Sequence, residues 1–293
     1  MLRQRVKNLF NILLHVSMYM VLVGISLLYA MSALLDIKLD LIAYLIVILS
    51  AFGGYNLNRI VEVEKDVIDH SERAYFFMKY KKHLTVLTIT SIILAFLLTC
   101  LKGRVELIII VSLPLIFVIL YTIHWIPKSI TRYRRLKDII IIKNVTPAVG
   151  WATGTVLMPI FYVSGSITPS VVLAFLFVFL RIFIGSIVHD AKDVKGDRIH
   201  KVETLCVVLG LKKTKLFLIG MNSIMVILFL FITFIGLLPA LMYILLIGSS
   251  LYVYAYLYFL DKPDINLRFL SNIAAPTECV ILAPLAFVGK NLV

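Results

Sequence analysis

The chain has 293 residues, of which 61% are hydrophobic and only 15% charged, with a mean hydropathy of +1.01. Soluble chains carry roughly 45–50% apolar and about 25% charged residues, so a soluble enzyme, a secreted disulfide scaffold, a disordered tail and a repeat solenoid are excluded. The formal charge of +13 does not mark a nucleic-acid binder, because the basic residues fall in short gaps between apolar runs and not on one soluble surface. What remains is an all-α polytopic membrane protein.

Runs of roughly 20 apolar residues match a bilayer core of about 30 Å. In chain order they predict nine transmembrane helices, at about 9–35, 40–58, 84–101, 105–125, 144–163, 167–189, 216–236, 238–260 and 269–289. No linker divides them, so residues 1–293 read as one bundle, with room for a central cavity. Met1–Lys7 and the apolar stretch after it imitate a signal peptide, with Ala30-Met31-Ser32 as a faint cleavage site. The stretch exceeds the 7–15 residues of a signal core, so it reads as a retained first helix.

Of the 29 Lys and Arg, 24 fall at the N-terminus or in the gaps after spans 2, 4, 6 and 8. The other side holds Lys38, Lys102, Arg104 and Lys290, and Arg181 lies inside span 6. Positive charge collects on the cytoplasmic side, so the N-terminus and the long gaps are expected there, in a cell membrane. Cys100, Cys206 and Cys279 are widely spaced within or beside apolar runs and read as packing residues.

Sixteen acidic residues occur in the whole chain, and their placement is informative. Asn58, Glu62, Asp66 and Asp69 fall within about 80° of arc on a helix, as one stripe at the end of span 2. Asp190, Asp193 and Asp197, at the end of span 6, fall within about 60°. Carboxylates in a row repel one another, and a hard cation relieves that. Mg²⁺ takes one or two carboxylates and fills its other positions with water and phosphate. Two such stripes on one face of the membrane would cradle Mg²⁺ and a diphosphate; solvated loop charges are the plain alternative.

These residues resemble the UbiA superfamily of intramembrane prenyltransferases. Asn58, Glu62 and Asp66 follow the spacing of the family's first motif, Asn-Asp-x-x-Asp-x-x-x-Asp, and Asp69-His70-Ser71-Glu72-Arg73 looks like a worn form of its tail. Asp190, Asp193, Gly196 and Asp197 match the second motif, Asp-x-x-Asp-x-x-Gly-Asp. Arg198, then Glu203-Thr204-Leu205 and Leu209-Gly210, look like its continuation. Leu120-Tyr121-Thr122 and Lys143-Asn144 fall where the family has Leu-Tyr-Ser and Lys-Asn. Three departures stand out: Glu62 replaces the usual Asp, Arg59 replaces the first Asp, and the Arg-Pro of the first helix is missing, leaving Asn11, His15 and Ser17 as its main polar groups.

The resemblance implies a prenyl transfer. Mg²⁺ held by Asn58, Glu62, Asp66, Asp190 and Asp193 would bind a polyprenyl diphosphate, with Asp66 and Asp190 central to its ionisation. Asp197 would join the metal site or act as the base that steers the acceptor. Arg73, Tyr121, Lys143, Lys192 and Arg198 are candidate diphosphate contacts, although cytoplasmic Lys and Arg also serve as plain topology determinants. The lipophilic acceptor stays open between a quinone-precursor aromatic acid and an archaeal-type glycerophosphate lipid. Cyclisation of the diphosphate and cation transport are the rival activities. A CDP-alcohol phosphotransferase fails because its compact motif is not found. Arg181 needs a buried partner or must snorkel; Glu278 in span 9 is the candidate.

Overall fold

The computed structural model describes residues 17–69, 71–123, 125–127, 139–199 and 202–292, with the side chains of 62–69, 71–74 and 122 outside that description. Among the described residues there are helices and no strand. In order they are α1 (Met18–Leu34), α2 (Leu41–Asp69), α3 (Ser71–Cys100) and α4 (Val105–Thr122). Then follow α5 (Ile142–Ala152), a π turn (Thr153–Leu157) and α6 (Met158–Tyr162) as one broken rod. Next come α7 (Pro169–Asp190), a 3₁₀ turn (Ala191–Asp193) and α8 (Val194–Ile199). The last are α9 (Leu205–Phe234), α10 (Leu241–Phe259), α11 (Leu267–Phe269), a π turn (Leu270–Ala274) and α12 (Ala275–Leu292).

Helix occupies every one of the nine predicted runs where residues are described. Among the described residues six segments are long and apolar enough to cross a membrane: Leu41–Val61, Tyr75–Cys100, Pro169–Ile199, Leu205–Phe234, Leu241–Phe259 and Leu267–Leu292. Met18–Leu34 and Val105–Tyr121 are apolar but shorter, and the predicted run 144–163 is broken by its π turn. The protein is thus a multi-pass helical membrane protein. Predicted boundaries miss most at span 3, whose helix begins at Ser71 and bends at Tyr80 (φ −109°, ψ 16°).

Local chemistry sets several helix starts. Thr168 accepts from the Val171 amide at 3.4 Å, with Pro169 in the first turn, where its missing N–H is harmless. Thr204 does the same for Val207 at 3.3 Å. Six residues after Thr204, Gly210 takes φ 74°, ψ 158°, a conformation that costs side-chain-bearing residues dearly, and so separates the first turn of α9 from its long membrane segment.

In lipid, helices associate through close packing and buried polar pairs because hydrocarbon gives them no hydrophobic drive. The backbones of α10 and α12 come close through glycine: a Cβ on Gly248 would lie 2.6 Å from Leu285 Cδ1, and Gly289 is closed in by Leu241. Leu27, Met31, Phe177, Leu245 and Leu282, from α1, α7, α10 and α12, form one buried core. Leu28, Ile46, Leu107 and Met158 join α1, α2, α4 and α6 in another. At one end of the bundle the short loops are tied together. Lys102 Nζ lies 3.1 Å from Asp40, Tyr162 donates its hydroxyl to the same carboxylate, and Lys290 meets Asp36 at 3.1 Å.

Candidate active site

The opposite end of the bundle opens into a cavity of about 840 Å³. Asn58 and Arg59 reach it from α2, and Asp190, Asp193 and Asp197 reach it from the end of α7, the 3₁₀ turn and α8. The described parts of both motifs therefore meet on one cavity, although they stand far apart in the chain. Glu62, Asp66, Asp69 and Arg73 lie outside the described side chains; the α2 backbone stays helical through Asp69, which keeps Glu62 and Asp66 on the track of Asn58.

Asp190 is the best-anchored carboxylate. It is 3% exposed. Its Oδ1 lies 2.7 Å from Lys143 Nζ, and its Oδ2 accepts from Asn144 Nδ2 at 3.0 Å. Asn144 also donates to Ser186 Oγ at 3.0 Å, one turn back on α7. The start of α5 is thereby pinned against the end of α7. Sequence reasoning placed Lys143 here but gave Asn144 no role. Its signal was a polar residue at the start of an apolar helix, next to the lysine.

The neighbouring turn is clamped to the ninth span. Lys192 Nζ donates to His189 Nε2 at 2.7 Å and to Asn272 Oδ1 at 2.7 Å. His189 Nδ1 then carries the hydrogen toward the Ser271 carbonyl at 3.3 Å. Ser271 Oγ in turn donates to the Val188 carbonyl at 2.8 Å. Lys192 and Tyr121 both line the cavity, whereas the expected phosphate contact Arg198 is exposed and does not. Of the first-helix polar groups, Asn11 and His15 lie outside the described residues, and Ser17 donates to Asn56 Oδ1 at 3.2 Å, beside the first motif.

Below the mouth the walls turn apolar and aromatic. Trp151 donates its indole N–H to the Tyr55 hydroxyl at 2.9 Å, with ring centroids 5.8 Å apart, and both rings line the cavity. Gly150, Gly154 and Gly185 are also on the wall, and a methyl group built on any of them meets nothing within 4 Å. Their missing side chains leave space that a larger residue would fill.

On α7 the lining residues are Arg181, Ile182, Gly185, Ser186, His189 and Asp190, a single face about 180° wide with Arg181 and Asp190 at its two edges. The edges face different partners. Arg181 is fully buried and pairs with Glu278, Nη1 to Oε1, at 3.2 Å, as its position within the membrane demanded. Nη1 also donates to Asn222 Oδ1 at 2.9 Å and Nη2 to Ser250 Oγ. Tyr256 donates to Glu278 Oε2 at 2.9 Å. Asn222, Ser250 and Tyr256 were not anticipated from sequence; a lone Asn inside the apolar run of α9 was the available sign.

The oxygen set of Asn58, Asp190, Asp193 and Asp197 has the chemistry of a hard-cation site. Among the described residues no three Asp, Glu, His or Cys side chains close a cage of their own, but Mg²⁺ needs only one or two carboxylates beside water and phosphate. Each Asp190 oxygen holds one N–H in this structure, and a carboxylate has about four lone-pair positions, so coordinating capacity remains. The residues fit such an ion.

Fold and site together define a polytopic membrane protein built around one cavity whose mouth carries both carboxylates and amines. The chain belongs to the UbiA prenyltransferase family, which it matches over residues 17–274. No individual curated protein matches it. Several solved structures share the fold. A structure of digeranylgeranylglyceryl phosphate synthase is 19% identical, with a TM-score of 0.64, over 98% of this chain and 100% of the other. A UbiA homologue from Archaeoglobus fulgidus bound to GPP and Mg²⁺ is 11% identical, with a TM-score of 0.69, over 95% and 99%. The apo UbiA homologue from Aeropyrum pernix K1 is 14% identical, with a TM-score of 0.65, over 93% and 97%.

Proposed function

We propose that the protein is a Mg²⁺-dependent intramembrane prenyltransferase, moving a polyprenyl group from an allylic diphosphate to an aromatic or hydroxyl acceptor. The observation that carries this reading is the meeting of Asn58 with Asp190, Asp193 and Asp197 on one cavity. The Archaeoglobus fulgidus homologue bound to GPP and Mg²⁺, and its counterpart with DMAPP and Mg²⁺, support the donor class. The resemblance to digeranylgeranylglyceryl phosphate synthase keeps a glycerophosphate lipid among the acceptors.

Asn58, Glu62, Asp66, Asp190 and Asp193 would hold the metal, and bound Mg²⁺ supplies positive charge against the departing diphosphate. Lys143, with Arg59 and Tyr121 at the same mouth, donates to diphosphate oxygens and takes up charge as the allylic C–O bond breaks. Tyr55 and Trp151 turn aromatic surface toward the allylic cation, which such faces favour. The acceptor's carbon or oxygen then bonds to that carbon, and its proton leaves to Asp197. All nine helical runs cross the bilayer in this reading, as one domain whose N-terminus and acidic motifs face the cytoplasm.

The test is diphosphate release from geranyl, farnesyl and geranylgeranyl diphosphates by the purified protein in nanodiscs, with Mg²⁺ or EDTA and with a panel of acceptors. Release that requires Mg²⁺, rises with one acceptor and is lost in Asp66→Ala and Asp190→Ala is the expected result. Folded wild-type protein inert toward all three diphosphates would overturn the reading.

A further inference from the structure

The cluster around Arg181 has no part in the chemistry above. A charged side chain inside a membrane is costly and as a rule functional, and this one is held by four helices: α7 through Arg181, α9 through Asn222, α10 through Ser250 and Tyr256, and α12 through Glu278. Stitching helices together would call for a closed set of hydrogen bonds. This set is open. Arg181 Nε and Glu278 Oε1 are buried without a hydrogen-bond partner; Oε1 lies 3.2 Å from Nη1 but out of line for a hydrogen bond. A buried donor and a buried acceptor left over on one ion pair call for one more polar group.

That group would come from the cavity, which the pair adjoins. Arg181 lines it, as do Ala275, Pro276 and Cys279 flanking Glu278 on α12. Nine helical steps separate Arg181 from Asp190, which puts the Arg181 Cα roughly 13 Å deeper along α7. Gly185 lies between them with open space in front of its Cα, so nothing on α7 blocks the way. The Arg181–Glu278 pair is neutral as a unit. An uncharged group can join it without unbalancing the site, while an anion would meet the carboxylate of Glu278.

We propose that Arg181 and Glu278 form a subsite for one uncharged hydroxyl of the acceptor, with Arg181 Nε–H donating to the hydroxyl oxygen and the hydroxyl donating to Glu278 Oε1. The inference rests on the prenyltransferase reading of the same cavity and adds the acceptor's chemistry to it: a molecule with a neutral hydroxyl in the depth of the cavity and its nucleophile toward the mouth.

Trp151 on the cavity wall gives a readout independent of turnover. The chain has two tryptophans, so a Trp125→Phe background leaves Trp151 as sole reporter. Its fluorescence in nanodiscs is titrated with p-cresol, toluene and 4-hydroxybenzoate, against protein-free nanodiscs. We expect p-cresol to bind roughly tenfold or more tightly than toluene, as a charge-assisted hydrogen bond implies, and more tightly than the anionic 4-hydroxybenzoate. An Arg181→Met, Glu278→Met double variant, which keeps the volume and removes both charges, should lose that preference. Should it not fold, Arg181→Lys retains the charge opposite Glu278 but has no Nε, and should lose the preference too. Equal affinities for p-cresol and toluene in the parent protein, as a cluster that merely holds a water would give, sink the proposal. So does a preference that survives in the variant. Diphosphate release from geranyl diphosphate is measured on the same samples: preference without release removes the prenyl-transfer reading alone, and release without preference removes the hydroxyl subsite alone.

Discussion

Lys143 Nζ lies 2.7 Å from Asp190 Oδ1, so the carboxylate that opens the second acidic motif already carries a cation from another helix. Lys143→Met removes a charge-assisted donor from the place where negative charge develops, and such losses cost about 10²–10³-fold in turnover. Diphosphate release from a prenyl diphosphate should fall by that order in Lys143→Met and by much less in Lys143→Arg. Turnover within threefold of wild type in Lys143→Met would show that the lysine serves the fold and not the reaction.

The Arg181–Glu278 pair should respond asymmetrically to substitution. Removing one partner strands the other charge in a site that is at most 1% exposed, which costs about 3–5 kcal/mol, whereas replacing both by apolar residues of similar volume is often near neutral. Heating detergent-solubilised protein and counting what stays monodisperse should therefore rank Arg181→Ala well below the Arg181→Met, Glu278→Met double variant. A double variant less stable than Arg181→Ala would mean that the hydrogen bonds to Asn222, Ser250 and Tyr256 matter more than the charge balance.

Gly185 offers a clean block. A side chain there enters open space on the wall between Asp190 and Arg181, so Gly185→Leu should leave the melting temperature within about 2 °C of wild type and lower prenyl transfer at least tenfold. Wild-type turnover in a stable Gly185→Leu protein would show that the substrate takes another path through the cavity.

Asp40, in the loop before α2, gives a pH dependence with a definite sign. The Tyr162 hydroxyl, helped by the Ala43 amide and Lys102, holds its carboxyl down from 3.8 to about 2. A depressed carboxyl contributes stability that is complete above its unfolded value and fades as pH falls through the folded one. The stability difference between wild type and Asp40→Asn should thus be constant above pH 3.8 and shrink toward pH 2. In a Tyr162→Phe background the difference should be smaller from the outset, and its loss should be complete at a higher pH. Matching thermal-shift curves in the two backgrounds would rule out the tyrosine as the cause.

Reading the chain by pattern found the acidic positions because helical periodicity is a local property. Asp190, Asp193 and Asp197 are spaced for one helical face, and although the helix tightens to a 3₁₀ turn at Ala191–Asp193, the structure keeps all three on the cavity. Pattern matched Asn144 to a family position but gave it no partner. Its two hydrogen bonds, to Ser186 and Asp190, cross from one helix to another, and nothing in the neighbourhood of Lys143 encodes which helix lies opposite. Arg198 shows the reverse case. It follows the second motif in sequence, yet its place on α8 leaves it exposed and off the cavity, since a turn and a half of helix past Asp193 carries it round to the solvent side.

Sequence alone determined that this is a multi-pass helical protein, because a bilayer of fixed thickness turns length and hydropathy directly into spanning helices. It also determined where carboxylates concentrate along two of those helices, because a helix repeats every 3.6 residues. Only the tertiary structure decided which groups meet: Lys143 with Asp190, Arg181 with Glu278, and Asn58 with the second motif on one cavity. Those meetings depend on how helices lie against one another in lipid. That arrangement is selected by close packing at positions such as Gly248 and Gly289 and by the few polar groups that must find partners inside the membrane.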